Sequence, residues 1–495
     1  MCTTIIVGEH ATVDGSFLVA RSADSSSLKA QHFVIHPAVT GQSGVYSCKA
    51  HGGVNDFSYP LPENAMRYTT VPNWKTQLHG AVGFNEAGLG LTGTESIFAS
   101  DEALSFDPYN KASGITEDDI PNVILPRCRT AKEGVLLLGK IIETQGAGEG
   151  FGVAFVDQHD VWYLETGSGH QWMAERIPAD SYFASGNQGR LGFYDPENEN
   201  QLASPTLVSF AAEKGLYDPA KGPLHFSAAY TRDDGRDRVY NDPRVWIMQK
   251  ILNPSIEQPV DDGRNFAVYL KPEKKDSLAD MKAIMRDHYE GTEHDPYGEN
   301  LNGAEPWRPI SVFRTYEAHV MEVRPNLPLA IGEVVHVAFG MADLSVFVPF
   351  YHGLESVPEQ YGLGTDHCDN RSVYWKYRKV QTLAMTNYPK FAPIVKKAYG
   401  DFEATIDEER RQFEARYLEL VKTDEKAANA ELNRFNLSVL ARAEAIAENP
   451  HADDGRHRRE NRLQEQQVQG LSVRFRAASR RPNHRAAPLG GAAFR

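Results

Sequence analysis

The sequence predicts an α+β layered fold, and three observations carry that reading. Short β-branched runs separated by turn residues crowd the stretch from residue 3 to residue 187. Amphipathic helical stretches are interspersed among them without the strict strand–helix alternation of a parallel sheet. A second group of strands spans 311–351 and gives way to a mostly helical stretch that ends near residue 449.

The elements follow in order. TTIIVG (3–8) is a β-branched run, the DG pair at 14–15 is a turn signal, and SFLVARSAD (16–24) follows as its partner, so the chain opens on a hairpin. Further strands are expected at QHFVIHP (31–37), GAVGFN (80–85), LGLTGTES (89–96), GFGVAFVD (150–157), VWYLETG (161–167) and SYFASGN (181–187). Apolar residues at helical spacing predict helices over 120–146, with an early proline break, and over 204–217, 242–254 and 276–291. The last of these opens on an Asp-Ser cap signal. SVFRTYEAHVMEV, EVVHVAFG and SVFVPFY are the second group of strands.

Composition narrows the function classes. The chain has 495 residues, 41% hydrophobic and 24% charged, which is ordinary for a soluble globular protein able to build a core without disulfides. Cys2, Cys48, Cys128 and Cys368 are widely spaced and form no CxxC pair, so neither a disulfide framework nor a thiolate metal site is expected. A net charge of -14 argues against nucleic-acid binding, which needs a basic face to displace counterions. No basic start followed by an apolar run is present, and no run of eighteen apolar residues exists. The expectation is a cytoplasmic protein with no membrane or nucleic-acid partner, with homo-oligomerisation left open. Residues 455–495 depart from this pattern, with ten arginines, no lysine and two acids, and are expected to be a disordered tail.

Cys2 stands apart because of its position. Removal of Met1 would leave a thiol and a free α-amine on one residue, which is a minimal nucleophile–base pair. The reference pKa of the amine, about 7.7–8.0, lies close to that of the thiol, about 8.5, so near neutral pH the amine can hold the proton the thiol gives up. Arg21 and Asp24, at the end of the second strand, could support the thiolate by charge and orient the ammonium. Asn85 in GFNEAGL (83–89) and Asn187 in ASGNQGR (184–190) sit at strand-to-turn junctions, where an amide can serve as an oxyanion donor or only as turn chemistry. Arg244 in DPRVW (242–246) is the candidate for a later site arginine, with Arg238 as its competitor.

Taken together, Cys2-Thr3-Thr4, DGS (14–16), ARSAD (20–24), GFNEAGL, DPRVW, HYEGTEHDPYG (288–298), FRTYEAHVMEVRPNLP (313–328), VPFYHG (348–353) and WKYRKVQTLAMTNY (375–388) resemble the dipeptidase family of N-terminal-nucleophile hydrolases, the dipeptidase A-like cysteine peptidases. The resemblance spans about 2–450. It implies a four-layer αββα sandwich with a largely helical C-terminal region: a catalytic domain over 2–400, a helical extension over 401–450 packed on it, and the arginine-rich tail. It implies cleavage of dipeptides through a thioester, without cofactor or metal. It also assigns roles: Cys2 as nucleophile and base carrier, Arg21 and Asp24 as supporting residues, Asn85 as the oxyanion asparagine, Asn187 as a match to a second asparagine of the family, and Arg244, or its competitor Arg238, as the later arginine.

Three rivals remain at this level. One is an amidase of the same fold acting on N-acyl amides. Another is a catalytically silent member of the fold. The last is a metallopeptidase drawing on DHCDN (366–370) and TEHD (292–295), whose spacing fits no zinc site well.

Overall fold

The chain turns back on itself where the DG pair predicts. In the computed structural model Gly15 takes φ +79°, a conformation open to glycine, and Asp14 Oδ1 accepts from the Ser16 amide at 3.2 Å and its hydroxyl at 2.6 Å. This turn joins strand β1 (Cys2–Val7) to β2 (Phe17–Asp24) in an antiparallel pair with Cys2 opposite Ala23 and Thr4 opposite Arg21. The structure describes residues 1–93, 95–298 and 307–448. The predicted tail, 455–495, lies outside the described residues.

The hairpin forms the centre of the first of two large sheets. With β3 (Tyr182–Ser185), β4 (Tyr269–Leu270), β5 (Thr315–Val323), β6 (Glu333–Phe339) and β7 (Phe347–Tyr351), the strand order is β4-β3-β1-β2-β5-β6-β7. The second sheet contains Val82–Phe84, Gly90–Thr92, Phe151–Val156, Val161–Thr166, Trp172–Arg176 and Gln201–Ala203. Trp172–Arg176 is a strand that sequence reasoning did not anticipate. Its Met-Ala-Glu run reads as helix-forming, but Met173 and Ala174 fill cores on opposite faces of the sheet, the two-residue period of a strand.

Burial on alternate faces explains the layering. Ile6, Val19, Ala23, Met321 and Val323 point between the sheets and meet Val82, Phe84, Ala154 and Val156. Ile5, Val7, Leu18, Ala20 and Val320 point the other way, onto Val245 of helix α2 (Asp242–Leu252) and Met281 and Ile284 of α3 (Leu278–Arg286). Helix α1 (Ala131–Gln145) covers the far side of the second sheet through Val135, Leu138, Ile141 and Ile142. The result is the four-layer αββα sandwich.

Local rules set the helix limits. The predicted helix over 120–146 breaks into Ile120–Ile124 and α1, whose N-cap Thr130 accepts from the Glu133 amide at 3.2 Å. Helix α3 begins with a Ser277/Asp280 capping box and stops at Arg286, five residues short of the expected end, because Asp287 is extended and Tyr289 is left-handed. Helices α4 (Val373–Met385), α5 (Tyr388–Leu420) and α6 (Glu425–Glu448) complete the described chain. The boundary expected at 400–401 falls inside α5, and Met1–Glu448 forms one compact unit. Among the described residues, no helix is long and apolar enough to cross a membrane.

Candidate active site

The first strand brings a thiol and two arginines together from opposite sides of one sheet. Residues at odd and even positions of β1 face opposite layers. Cys2, 2% exposed, points between the sheets toward Arg21, and Arg21 Nη2 donates to its Sγ at 3.0 Å. Arg21 Nη1 lies 3.9 Å from Glu317 Oε1 on β5 and donates to the Ala81 carbonyl at 3.5 Å. Burial alone would lower the Arg21 pKa. Cys2, Tyr316, Glu317 and Glu117 outweigh it, raise the pKa and keep the guanidinium charged.

On the helix side, Thr3 faces α2. Arg244 Nη1 donates to Thr3 Oγ1 at 2.8 Å and to the Cys2 carbonyl. Arg244 Nη2 reaches Asn187 Oδ1 at 3.0 Å and Asn241 Oδ1 at 2.6 Å. Asn187 Oδ1 also accepts from the Cys2 amide at 3.2 Å. The asparagine therefore holds the Cys2 nitrogen directly, and its own Nδ2 donates to the Ser96 carbonyl at 3.1 Å. Arg238, the competitor of Arg244, is solvent-exposed.

Asp24 is fully buried on that same helix-facing side. Its carboxylate pairs with Arg308 and accepts from the Thr315 hydroxyl. Burial pushes the Asp24 carboxyl upward, but the Arg308 charge, the chain's N-terminal ammonium and the Thr315 hydrogen bond overcome it and hold the carboxyl below its ordinary value. Met1 pairs with the Asp24 backbone: its ammonium donates to the Asp24 carbonyl at 2.6 Å, and the Asp24 amide donates to the Met1 carbonyl at 2.9 Å.

Asn85 does not join this group, which corrects the sequence expectation. Its Nδ2 donates to the Leu125 and Cys128 carbonyls, each at 2.7 Å, and its Oδ1 accepts from the Ala87 and Leu89 amides at 3.1 and 3.0 Å. Both amide protons hold the buried turn to the chain leading into α1, so the side chain has none to offer an oxyanion. Cys2, Arg21, Asp24, Asn187 and Arg244 are brought together; Asn85 serves the turn.

Sequence reasoning missed Thr3, Asn241, Arg308, Tyr316 and Glu317. Glu317 and His319 alternate along β5 and read as a solvent-facing strand, yet both are fully buried, with His319 Nδ1 3.0 Å from Glu317 Oε2. Tyr316 is reached through a register shift between Thr315 and Glu317, a bulge that turns its side chain into the core between the sheets. Arg308 sits in a loop with no local pattern.

Among the described residues, His288, Glu290 and Asp343 are grouped closely enough to hold a metal ion. A protein cation already occupies that group: Lys396 Nζ pairs with Glu290 and lies 2.6 Å from Asp343 Oδ1. Asp295 of the TEHD segment accepts from His288 Nδ1 at 2.8 Å, and His294 stacks on Trp307 at 3.5 Å. His367 of DHCDN is exposed beside Asp366. A lysine ammonium is no metal ligand.

Comparison with known proteins adds a second line. A family model described as Peptidase family C69 matches residues 1–400. The chain is 54% identical over 356 residues to the "Probable dipeptidase" of Salmonella dublin, covering 71% of this chain and 81% of that one. It is 37% identical over 399 residues to the "Probable dipeptidase A" of Streptococcus pyogenes serotype M3 (strain SSI-1), covering 78% and 83%. Among solved structures, penicillin V acylase from Agrobacterium tumefaciens matches with 13% identity over 68% of this chain and 83% of that one, at a TM-score of 0.29, too faint a likeness to bear on function.

Proposed function

The chain belongs to peptidase family C69, and from that premise we propose that it is a cytoplasmic cysteine dipeptidase of the N-terminal-nucleophile type, active once Met1 is removed. The observation that carries the reading is the Cys2 thiol held at 3.0 Å by a buried arginine while the nitrogen of the same residue is held at 3.2 Å by Asn187. A nucleophile and its base are thereby fixed on one residue at a strand end. Met1 is 41% exposed, which suits its removal by an aminopeptidase.

The steps follow from the groups present. The free α-amine of Cys2 takes the thiol proton, and the Arg21 guanidinium steadies the thiolate. The sulfur attacks the scissile carbonyl carbon, forming a C–S bond and an oxyanion. Collapse breaks the C–N bond, and the C-terminal amino acid leaves with the proton returned by the amine. A thioester of the N-terminal residue remains. Water, losing its proton to the same amine, cleaves the thioester and restores the thiol. Asn187, anchored by Arg244 and Asn241, keeps the amine in register. Asp24, neutralised by Arg308, fixes the strand end from which the chain begins.

The test is Cys2→Ala and Cys2→Ser, assayed on a dipeptide panel with N-terminal sequencing of each preparation. The wild-type chain should begin at Cys2 and hydrolyse dipeptides in the presence of chelators. The alanine variant should be inactive. Full activity in Cys2→Ala would overturn the reading.

A further inference from the structure

Next to the nucleophile lies a group of charges that neither the fold nor the catalytic steps account for. The loop leaving β2 carries Lys29, held in place by a Tyr374 hydroxyl bond to the Ser27 carbonyl at 2.7 Å and a Trp74 amide bond to the Ala30 carbonyl at 3.0 Å. The Lys29 ammonium stands 4.6 Å above the ring of Tyr316, the residue the β5 bulge turns inward. Among the described residues it has no hydrogen bond and no carboxylate within 4 Å. Burial lowers its pKa, while Glu117, Asp118 and Cys2 lie within electrostatic reach and act in the opposite sense. A half-buried ammonium that pairs with no carboxylate among the described residues, within electrostatic reach of the thiol, is costly to keep unless something anionic binds there.

An acidic counterpart lies within its electrostatic reach. His79 adopts a left-handed backbone with φ +57°. Its Nε2 bonds the Tyr316 hydroxyl at 2.7 Å, and its Nδ1 faces Glu117 Oε1 at 3.4 Å and Asp118 Oδ1 at 3.6 Å. Strain at a non-glycine residue persists where the surroundings over-determine it. Here one imidazole links Tyr316 to the two carboxylates, and Tyr316 lies within electrostatic reach of Arg21 and Cys2.

We propose that Lys29 binds the C-terminal carboxylate of the dipeptide, and that Glu117 and Asp118, linked to Tyr316 through His79, bind its α-ammonium. The proposal rests on the dipeptidase reading and extends it to substrate length. The two charged ends of an extended dipeptide are about 7 Å apart at most, so a cation and two carboxylates within electrostatic reach of one another beside the thiol suit a two-residue zwitterion. A longer peptide puts its carboxylate out of reach of Lys29.

The test compares a dipeptide with its C-terminal amide and with its des-amino analogue on the full-length protein. The wild-type enzyme should prefer the free dipeptide to both. Lys29→Met should raise KM for the dipeptide by about 10- to 100-fold, the loss expected for one charge-assisted hydrogen bond, with little change in kcat. It should also erase the preference over the amide, and Lys29→Arg should restore most of it. Glu117→Gln should erase the preference over the des-amino analogue and leave that over the amide. Equal losses on all three compounds, or no loss, in folded variants would overturn the assignment. A wild-type protein that cleaves none of them would instead sink the dipeptidase reading, and this inference with it.

Discussion

Arg21 touches Cys2 Sγ with one terminal nitrogen and faces Glu317 with the other, 3.0 Å and 3.9 Å away, so a single guanidinium couples the thiol to a carboxylate on the neighbouring strand. Neither end of this relay reaches solvent. The planar fork that allows it is not available to lysine. Arg21→Lys is therefore expected to lower kcat/KM by about 10- to 100-fold, the worth of one charge-assisted hydrogen bond to the thiolate. The rate of Cys2 alkylation near neutral pH should fall in parallel. A variant alkylated as fast as the wild type would show that Arg21 does not act on the sulfur.

Asp24 and Arg308 form the second buried pair, on the opposite face of the same sheet. Removing one partner of a buried ion pair leaves the other uncompensated, at a cost of about 3 kcal/mol or more. Asp24→Asn should thus lower Tm at neutral pH. The folded pKa of Asp24 is depressed, so the stabilisation is complete above the unfolded carboxylate value of about 3.9 and is lost as pH falls through the folded value. The gap in stability between variant and wild type should narrow as pH drops below about 4, which thermal melts across a pH series would read.

The two asparagines picked out from sequence should separate in kinetics. Asn85 ties its turn to Leu125 and Cys128, so Asn85→Ala should unfold at lower temperature, by about 1–3 kcal/mol per stranded carbonyl partner, while the folded fraction keeps its kcat. Asn187 holds the Cys2 nitrogen, so Asn187→Ala should lower kcat more than it lowers Tm. The reverse pattern, with Asn85→Ala catalytically dead yet stable, would reinstate Asn85 in the active site.

These contrasts show what local pattern reveals. The opening hairpin was legible because a β-branched run, an Asp-Gly turn and a second apolar run determine it together, and that hairpin alone puts Arg21 and Asp24 beside Cys2. Asn187 and Arg244 were legible as residues but not as partners. Their meeting at 3.0 Å spans more than fifty positions of sequence and depends on α2 packing against β3. Asn85 was misread because turn chemistry and oxyanion chemistry favour the same side chain in the same glycine-rich setting, and only its hydrogen bonds distinguish the two. Lys29, Glu117 and Arg308 lie in loops without period, where no spacing signals function. The bulge at Tyr316 breaks the alternation that would have assigned it to the helix side.

Glu165 offers a test of the fold that is independent of catalysis. It sits on the Val161–Thr166 strand, fully buried, and accepts from the Arg190 amide at 2.9 Å and the Leu191 amide at 3.1 Å, joining the second sheet to the segment that follows Asn187. Burial is the largest influence on it and lifts its carboxyl to about 7, against the pull of those two amides and the Arg190 charge. With the folded value above the unfolded one, folding takes up a proton between about pH 4 and pH 7. The contribution of Glu165 to stability therefore declines as pH rises through that window and stays low above it. Each tenfold difference in proton affinity between the folded and unfolded chains is worth about 1.4 kcal/mol, so the decline amounts to about 3.5 kcal/mol. Glu165→Gln keeps an acceptor oxygen without the charge. Its stability should change less between pH 5 and pH 7 than that of the wild type, and at pH 8 it should equal or exceed the wild type. A steeper pH dependence in the variant would mean that the Glu165 carboxylate is stabilised in its charged form, contrary to the burial argument.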